Sequence, residues 1–131
     1  MAIRSAYLIA LAAVLGCASG SNPSGAVKVP RTANYLTGEE IAAQNATEGT
    51  AYDAIARLRP NWLATKGVAT QGPEYPVVFV DGQEFGPPES LRNIHAFHVN
   101  DIRYYDITQA GARFGIKGGT GGVIEVRIKT K

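Results

Sequence analysis

Cysteine is nearly absent: the 131 residues contain one, Cys17. That excludes an intramolecular disulfide and any metal site built on several thiolates. No block of one charge is present either. Thirteen Lys and Arg stand against eleven Asp and Glu, scattered along the chain, so nothing offers nucleic acid a basic surface to grip. The longest apolar run, Ala6 to Leu15, stops far short of the roughly twenty residues that cross a bilayer as a helix. Internal repeats are missing. So are a Gly-x-Ser-x-Gly elbow and any recognisable motif of paired carboxylates, and an enzyme is not expected.

What is present begins at the front. Arg4, the apolar run and Gly16-Cys17 have the layout of a secretory signal. An ordinary cut after Ala18 would discard Cys17 and leave a periplasmic protein. The residues Val14-Leu15-Gly16-Cys17, however, resemble the lipobox of bacterial lipoproteins. The resemblance implies cleavage before Cys17, a thioether-linked diacylglycerol on its sulfur and a third acyl chain, such as palmitate, on its amine. Each buried methylene contributes about 0.8 kcal/mol, so several chains anchor lastingly where one binds marginally. By the same resemblance, the lack of an aspartate at position 18 implies sorting to the outer membrane, with the domain expected to face the periplasm.

Removing sixteen of 131 residues leaves 115, enough for one small domain and too few for a transport barrel. Thirteen basic residues less Arg4 leave twelve against eleven acidic ones, a near-neutral surface. Residues 17–35 are small, polar or turn-forming, with Pro23 and Pro30, and read as a lipidated N-terminus and flexible tether. The expected division is a signal peptide over 1–16, the tether over 17–35 and a folded domain over 36–131.

Within the domain, Thr37-Gly38-Glu39-Glu40 and Thr50-Ala51-Tyr52-Asp53 have the form of capping boxes, where side chains satisfy the open amides of a helix start. The first helix should reach about Asn45. The second should end at Pro60 and share a face among Tyr52, Ile55, Ala56 and the Arg59 stem, with Trp62-Leu63 laid over a core. Val77-Val78-Phe79-Val80 reads as a strand buried on both faces. Asp81-Gly82 turns the chain back through Gln83-Glu84-Phe85, and Pro87-Pro88 leads into a short helix carrying Leu91 and Ile94. A strand follows over Arg103 to Ile107, with Tyr105 and Ile107 on one face and Tyr104 and Asp106 on the other, then a helical turn over Gln109 to Phe114. The last strand alternates, Ile124, Val126 and Ile128 inward against Glu125, Arg127 and Lys129 outward, which predicts one wet sheet face. The expected fold class is α+β, a small mixed sheet with short helices packed on one side.

Val78-Phe79-Val80-Asp81-Gly82, Leu91-x-x-Ile94, Asp101 to Ile107, Phe114-Gly115, Gly121-Gly122-Val123-Ile124-Glu125-Val126 and Lys129-Thr130-Lys131 together resemble the plug domain of TonB-dependent outer-membrane receptors. The likeness covers about Tyr75 to Lys131. It implies a plug-like fold in a protein-interaction or accessory module whose partner is another envelope protein. Departures limit it: Thr108-Gln109 replaces the plug's usual Gly-Pro, Tyr105 stands where a small aliphatic is common, no TonB box is found in the tether, and the chain ends at Lys131 where a receptor would continue into its barrel. Transport and energy coupling are not implied.

Several constellations invite chemistry. Gly115, Gly118, Gly119, Gly121 and Gly122 form a glycine-rich loop, but a phosphate loop follows a strand and opens a helix, whereas these precede a strand and read as turn formers that could double as a contact surface. With Tyr104, one of two adjacent tyrosines facing opposite ways, Gly118, Gly119, Gly121 and Gly122 are the candidate partner contacts. His95 and His98 could offer two imidazoles to a metal with Asp101 as third ligand, and Ser90, His95 and Asp101 form a triad on paper. The alternative function is therefore a periplasmic small-ligand or metal-binding or hydrolytic protein using the His95 to Asp101 segment. No cofactor is implied. Asn45-Ala46-Thr47 fits a glycosylation acceptor but reads as an ordinary helix end.

Overall fold

A computed structural model describes residues 32–65 and 74–131. The signal segment, Cys17 and the tether through residue 31 lie outside the described residues. Five strands form one mixed sheet in the order β1-β4-β5-β2-β3. They are β1 (Tyr35–Thr37), β2 (Val77–Val80), β3 (Gln83–Gly86), β4 (Val99–Tyr105) and β5 (Val123–Ile128). β2 and β5 run parallel and the other neighbours antiparallel. The α-helices are α1 (Gly38–Ala43), α2 (Ala51–Leu58) and α3 (Ile107–Phe114), with 3₁₀ segments at Pro60–Trp62, Pro88–Asn93, Ala96–His98 and Gly115–Gly118. The chain is thus a small α+β domain, as its alternating helix and strand signals imply.

One sheet face holds the main core. Leu36, Val78, Ile102, Tyr104, Ile124 and Val126 meet Ile41 of α1, Ala51, Ala54 and Ile55 of α2, and Trp62, Leu91, Ile94 and Ala96 from the 3₁₀ segments and their flanks. Most of these are fully buried, and each aliphatic side chain so placed contributes about 1.5–3 kcal/mol relative to exposure. Val99 joins them although it lies three positions from Ile102, an offset that simple alternation puts on opposite faces. A bulge between Val99 and Asp101 inserts one residue and restores the inward direction. Trp62 donates its indole N–H to the Ala33 carbonyl at 3.1 Å and stacks on Tyr104, ring centroids 5.8 Å apart.

The second capping box is formed: the Thr50 hydroxyl accepts from the Asp53 amide and the Asp53 carboxylate accepts from the Thr50 amide. Those hydrogen bonds, the side-chain one first, hold the Asp53 carboxyl below its ordinary pKa. At the first helix the Thr37 hydroxyl accepts from the Glu40 amide at 3.0 Å, but the Glu40 carboxylate turns instead to Arg59 at 2.9 Å, where both side chains are largely buried. Arg59 also donates to the Thr32 carbonyl at 3.0 Å and the Tyr35 carbonyl at 3.4 Å. Thr32 to Tyr35, expected within the tether, are thus tied to the folded part by distant side chains.

Three other boundaries shift. α1 ends at Ala43, and Asn45 adopts a left-handed φ of 52° as the helix turns off. α2 buries Ala51, Ala54 and Ile55 while Ala56 is exposed, so its inner face is rotated from the Tyr52, Ile55, Ala56 set. β4 begins at Val99 and stops at Tyr105, because the Asp106 carboxylate accepts from the Gln109 amide at 2.8 Å and starts α3 at Ile107. Ile107 is consequently helical and 47% exposed, not a strand neighbour of Tyr105.

Candidate functional site

The second sheet face is built differently. Along it lie Tyr35 and Thr37 of β1, Asp101, Arg103 and Tyr105 of β4, Val123, Glu125 and Arg127 of β5, and Phe79 of β2, as strand alternation and the pairing register require. α3 covers one end, packing Ala110 and Phe114 against Phe79, Val123 and Tyr105. The helices are therefore not all on one side: α3 lies opposite α1 and α2. The Phe114 ring sits 4.5 Å from Phe79 and 5.4 Å from Tyr105 between centroids.

This small lid corrects the reading of Glu125 as a wet residue, for it is only 4% exposed. The Tyr105 hydroxyl donates to Glu125 Oε2 at 2.9 Å, and Arg113 reaches both carboxylate oxygens from α3 at 3.4 Å. A buried carboxylate requires such partners. The Arg113 guanidinium also lies 5.3 Å from the Tyr105 ring centroid, within cation–π range. Burial first, then the bond to Glu125 and its charge, push the Tyr105 phenol above its ordinary pKa, while Arg113 and Arg103 act the other way.

Beside α3 the face opens into a cleft of about 640 Å³, lined by Thr32, Asn34, Tyr35, Arg103, Tyr104, Tyr105, Gln109 and Ala112. Arg103 dominates its chemistry. The guanidinium lies 4.8 Å from the centre of the Tyr35 ring, and its Nε faces Asp101 Oδ1 at 3.7 Å. That separation is an ion pair but too long for a hydrogen bond, and both buried atoms are left without a hydrogen-bond partner. The other Asp101 oxygen accepts from the Asn100 amide at 2.8 Å. Burial alone would lower the Arg103 pKa, but the Tyr35 and Tyr105 side chains outweigh it and hold the guanidinium above its ordinary value. The outer layer is thus cationic and aromatic, and the carboxylates lie beneath it.

The residues singled out in the sequence are placed as follows. Tyr104 is 9% exposed and turned into the main core, so the tyrosine presented to the cleft side of the sheet is Tyr105. Burial, and next the charge of Asp106, push the Tyr104 phenol up. Gly118, Gly121 and Gly122 are buried and Gly119 is exposed. A Cβ at Gly118 would come within 2.8 Å of the Ala110 carbonyl oxygen, and one at Gly121 would collide with the Tyr75 carbonyl. These glycines permit close backbone approach into β5 and, Gly119 apart, offer no contact surface.

His95 and His98 are exposed, their rings 5.9 Å apart and perpendicular. Asp101 belongs to the opposite face, and the Ser90 hydroxyl donates to the Pro87 carbonyl at 2.6 Å. Among the described residues no group of three His, Cys, Asp or Glu is placed to hold a metal ion, and no helix is long and apolar enough to cross a membrane. Sequence reasoning missed Arg103, Arg113 and Tyr35. The signal available was the Arg103-Tyr104-Tyr105 run, whose odd members share a face.

The two sheet edges are guarded unequally. Arg59 occupies carbonyls beside β1. β3 remains paired on one side only among the described residues, exposed along Gln83 to Phe85, with a bulge at its pairing with β2. A bulge and the Glu84 charge oppose addition of a further strand. Comparison of the chain with protein-family models, with curated proteins and with solved structures finds no match.

Proposed function

We propose that this chain is a non-catalytic binding module of the bacterial outer membrane, lipid-anchored at Cys17, whose plug-like domain faces the periplasm and engages another envelope protein through the open side of its sheet. The lipobox-like Val14-Leu15-Gly16-Cys17 supports the anchor, and the motif series from Val78 to Lys131 supports the plug likeness. The observation that carries the binding role is the cleft beside α3, where Arg103 and two tyrosines are held outward over buried carboxylates. A cleft lined by aromatic rings and one cation suits recognition of another chain. The His95 and His98 pair gives the metal or hydrolytic alternative no third ligand among the described residues.

Two measurements test this reading. Intact mass of the mature protein should show a chain starting at Cys17 with added acyl mass, and a soluble form lacking Cys17 would refute the anchor. Affinity recovery of the full chain from mildly solubilised envelopes should return a stoichiometric partner; its absence would count against the binding role.

A further inference from the structure

Resting on the lipid anchor of that reading, we infer that one end of the sheet is a membrane-contact surface: Tyr75, Ile107 and Ile116 dip into the phospholipid bilayer that holds the Cys17 acyl chains. Among the described residues five large apolar side chains are exposed, and these are three of them. Single exposed apolar residues need no explanation, but the pairing register gathers these three. Tyr105 pairs with Val123 and Val123 with Val77, so the end of β4, the start of β5 and the start of β2 lie level. Ile107 follows the first of these and Tyr75 precedes the last, two strand spacings or roughly 10 Å away. The segment carrying Ile116 leads into the same end, where Gly119 packs beside Val77 and Gly121 beside the Tyr75 carbonyl.

Ile116 is completely exposed, in a turn whose flanking residues, Gly115 and Gly119, take positive φ of 61° and 59°. Gly118 is buried against Ala110, which holds the base of the turn while Ile116 and Lys117 stay in the open. Tyr75 suits the headgroup level, with an apolar ring and a polar tip, and the Lys117 ammonium can reach lipid phosphates along its apolar stem. The acids Glu74 and Asp106 match Arg113 and Lys117 in number at this end, so apolar area rather than charge carries the contact. The course of the chain selects the bilayer as occupant. β1 enters the sheet at this same end, since Tyr35 pairs with Arg103 and the Asn34 carbonyl accepts from the Tyr104 amide, and Thr32 shares a cleft with Gln109 and Ala112 of α3. Residues 18–31, fourteen in all, can span at most roughly 50 Å between that point and Cys17. Once the anchor is set, a second membrane contact is intramolecular, so three side chains too weak to recruit a free protein can still orient this one. The opposite end offers only Phe97 among the exposed large apolar side chains described, with the Lys129 ammonium 4.8 Å from its ring centre.

The test places the full-length chain in vesicles of phosphatidylethanolamine and phosphatidylglycerol, with and without acyl chains brominated near the headgroup, which quench tryptophan emission on contact. The one native tryptophan, Trp62, is fully buried and sets the wild-type baseline. In I116W the added emission should shift to the blue and be mostly lost on brominated lipid, since interfacial apolar side chains sit about 5–10 Å into the headgroup and acyl boundary. In F97W, at the other end of the sheet, it should be unchanged by bromine. Y75W is a second reporter should I116W fail to fold, and adding I107D and I116D to it should restore its emission while the acyl chains still hold the protein on the vesicles. Unquenched I116W and Y75W on vesicle-bound protein, or equal quenching of I116W and F97W, would overturn the inference while the anchor stands. A chain that carries no acyl mass and stays off the vesicles overturns anchor and contact together.

Discussion

The two faces of the sheet use the same strands for different ends. On one, Ile102, Ile124 and Val126 pack against α1, α2 and Trp62 with essentially no exposure. On the other, the intervening residues Arg103, Glu125 and Arg127 are charged, and among the described residues α3 closes one end. Since alternation assigns neighbours to opposite faces, each strand residue serves either the fold or the surface. The comparison teaches that stability should respond to substitutions on the core face, and recognition to substitutions on the open one.

The sharpest way to break that division is Trp62→Ala. Trp62 is fully buried and stacked on Tyr104, so its loss should cost about 3–5 kcal/mol in urea unfolding, the range for large core truncations. A cost below about 1 kcal/mol would remove the core face from its assigned role. Next comes Gly121→Ala. Its new Cβ meets the Tyr75 backbone carbonyl, which cannot swing aside as a side chain would, and roughly 1–3 kcal/mol or more of destabilisation is expected.

The open face should yield less. Glu125→Gln removes the charge that Arg113 and the Tyr105 hydroxyl share, and a cost of about 1–3 kcal/mol is expected because the site is buried and polar. If this equalled the Trp62 effect, the lid under α3 would rank with the main core. Tyr105→Phe should be mildest, about 0.5–1.5 kcal/mol near neutral pH for one hydrogen bond. It also sharpens the comparison through pH. The Tyr105 phenol is raised in the folded state by burial and by Glu125, so the folded chain holds this proton more tightly than the unfolded one. That stability is complete below the unfolded phenol pKa of about 10 and is lost as pH rises through the higher folded value. Alkaline unfolding curves of Tyr105→Phe should therefore fall less steeply than those of the wild type, with Tyr104 supplying the remaining slope by the same sign.

Much of the core face was legible because its signals are local. The unbroken Val77 to Val80 run announced a strand covered on both sides, Asp81-Gly82 marked the reversal into β3, and the alternation from Ile124 to Ile128 gave the inward set. The open face was less legible because its burial comes from partners far along the chain. Glu125 reads as solvated until α3 brings Arg113 over it, and Thr32 to Tyr35 read as tether until Arg59 and Trp62 fasten their carbonyls. Asp106 was misread despite a local signal. The Asp106-Ile107-Thr108-Gln109 stretch carries a helix start, which overrides the apparent strand alternation through Ile107. Tyr104 and Tyr105 were correctly set on opposite faces, but which face was wet depends on where Trp62 packs. That contact is nonlocal.

The cleft's candidate residues share this limit: Arg103 and Tyr35 are 68 positions apart in the chain and meet only through the β1–β4 register. The most direct measurement of the division between faces is partner recovery by full-length protein carrying R103Q and Y105F together, compared with the wild type after urea unfolding shows both folded. The account predicts that the double variant stays folded, within about 2 kcal/mol of the wild type, and no longer retains the partner. A folded double variant that retains the partner as well as the wild type would contradict it.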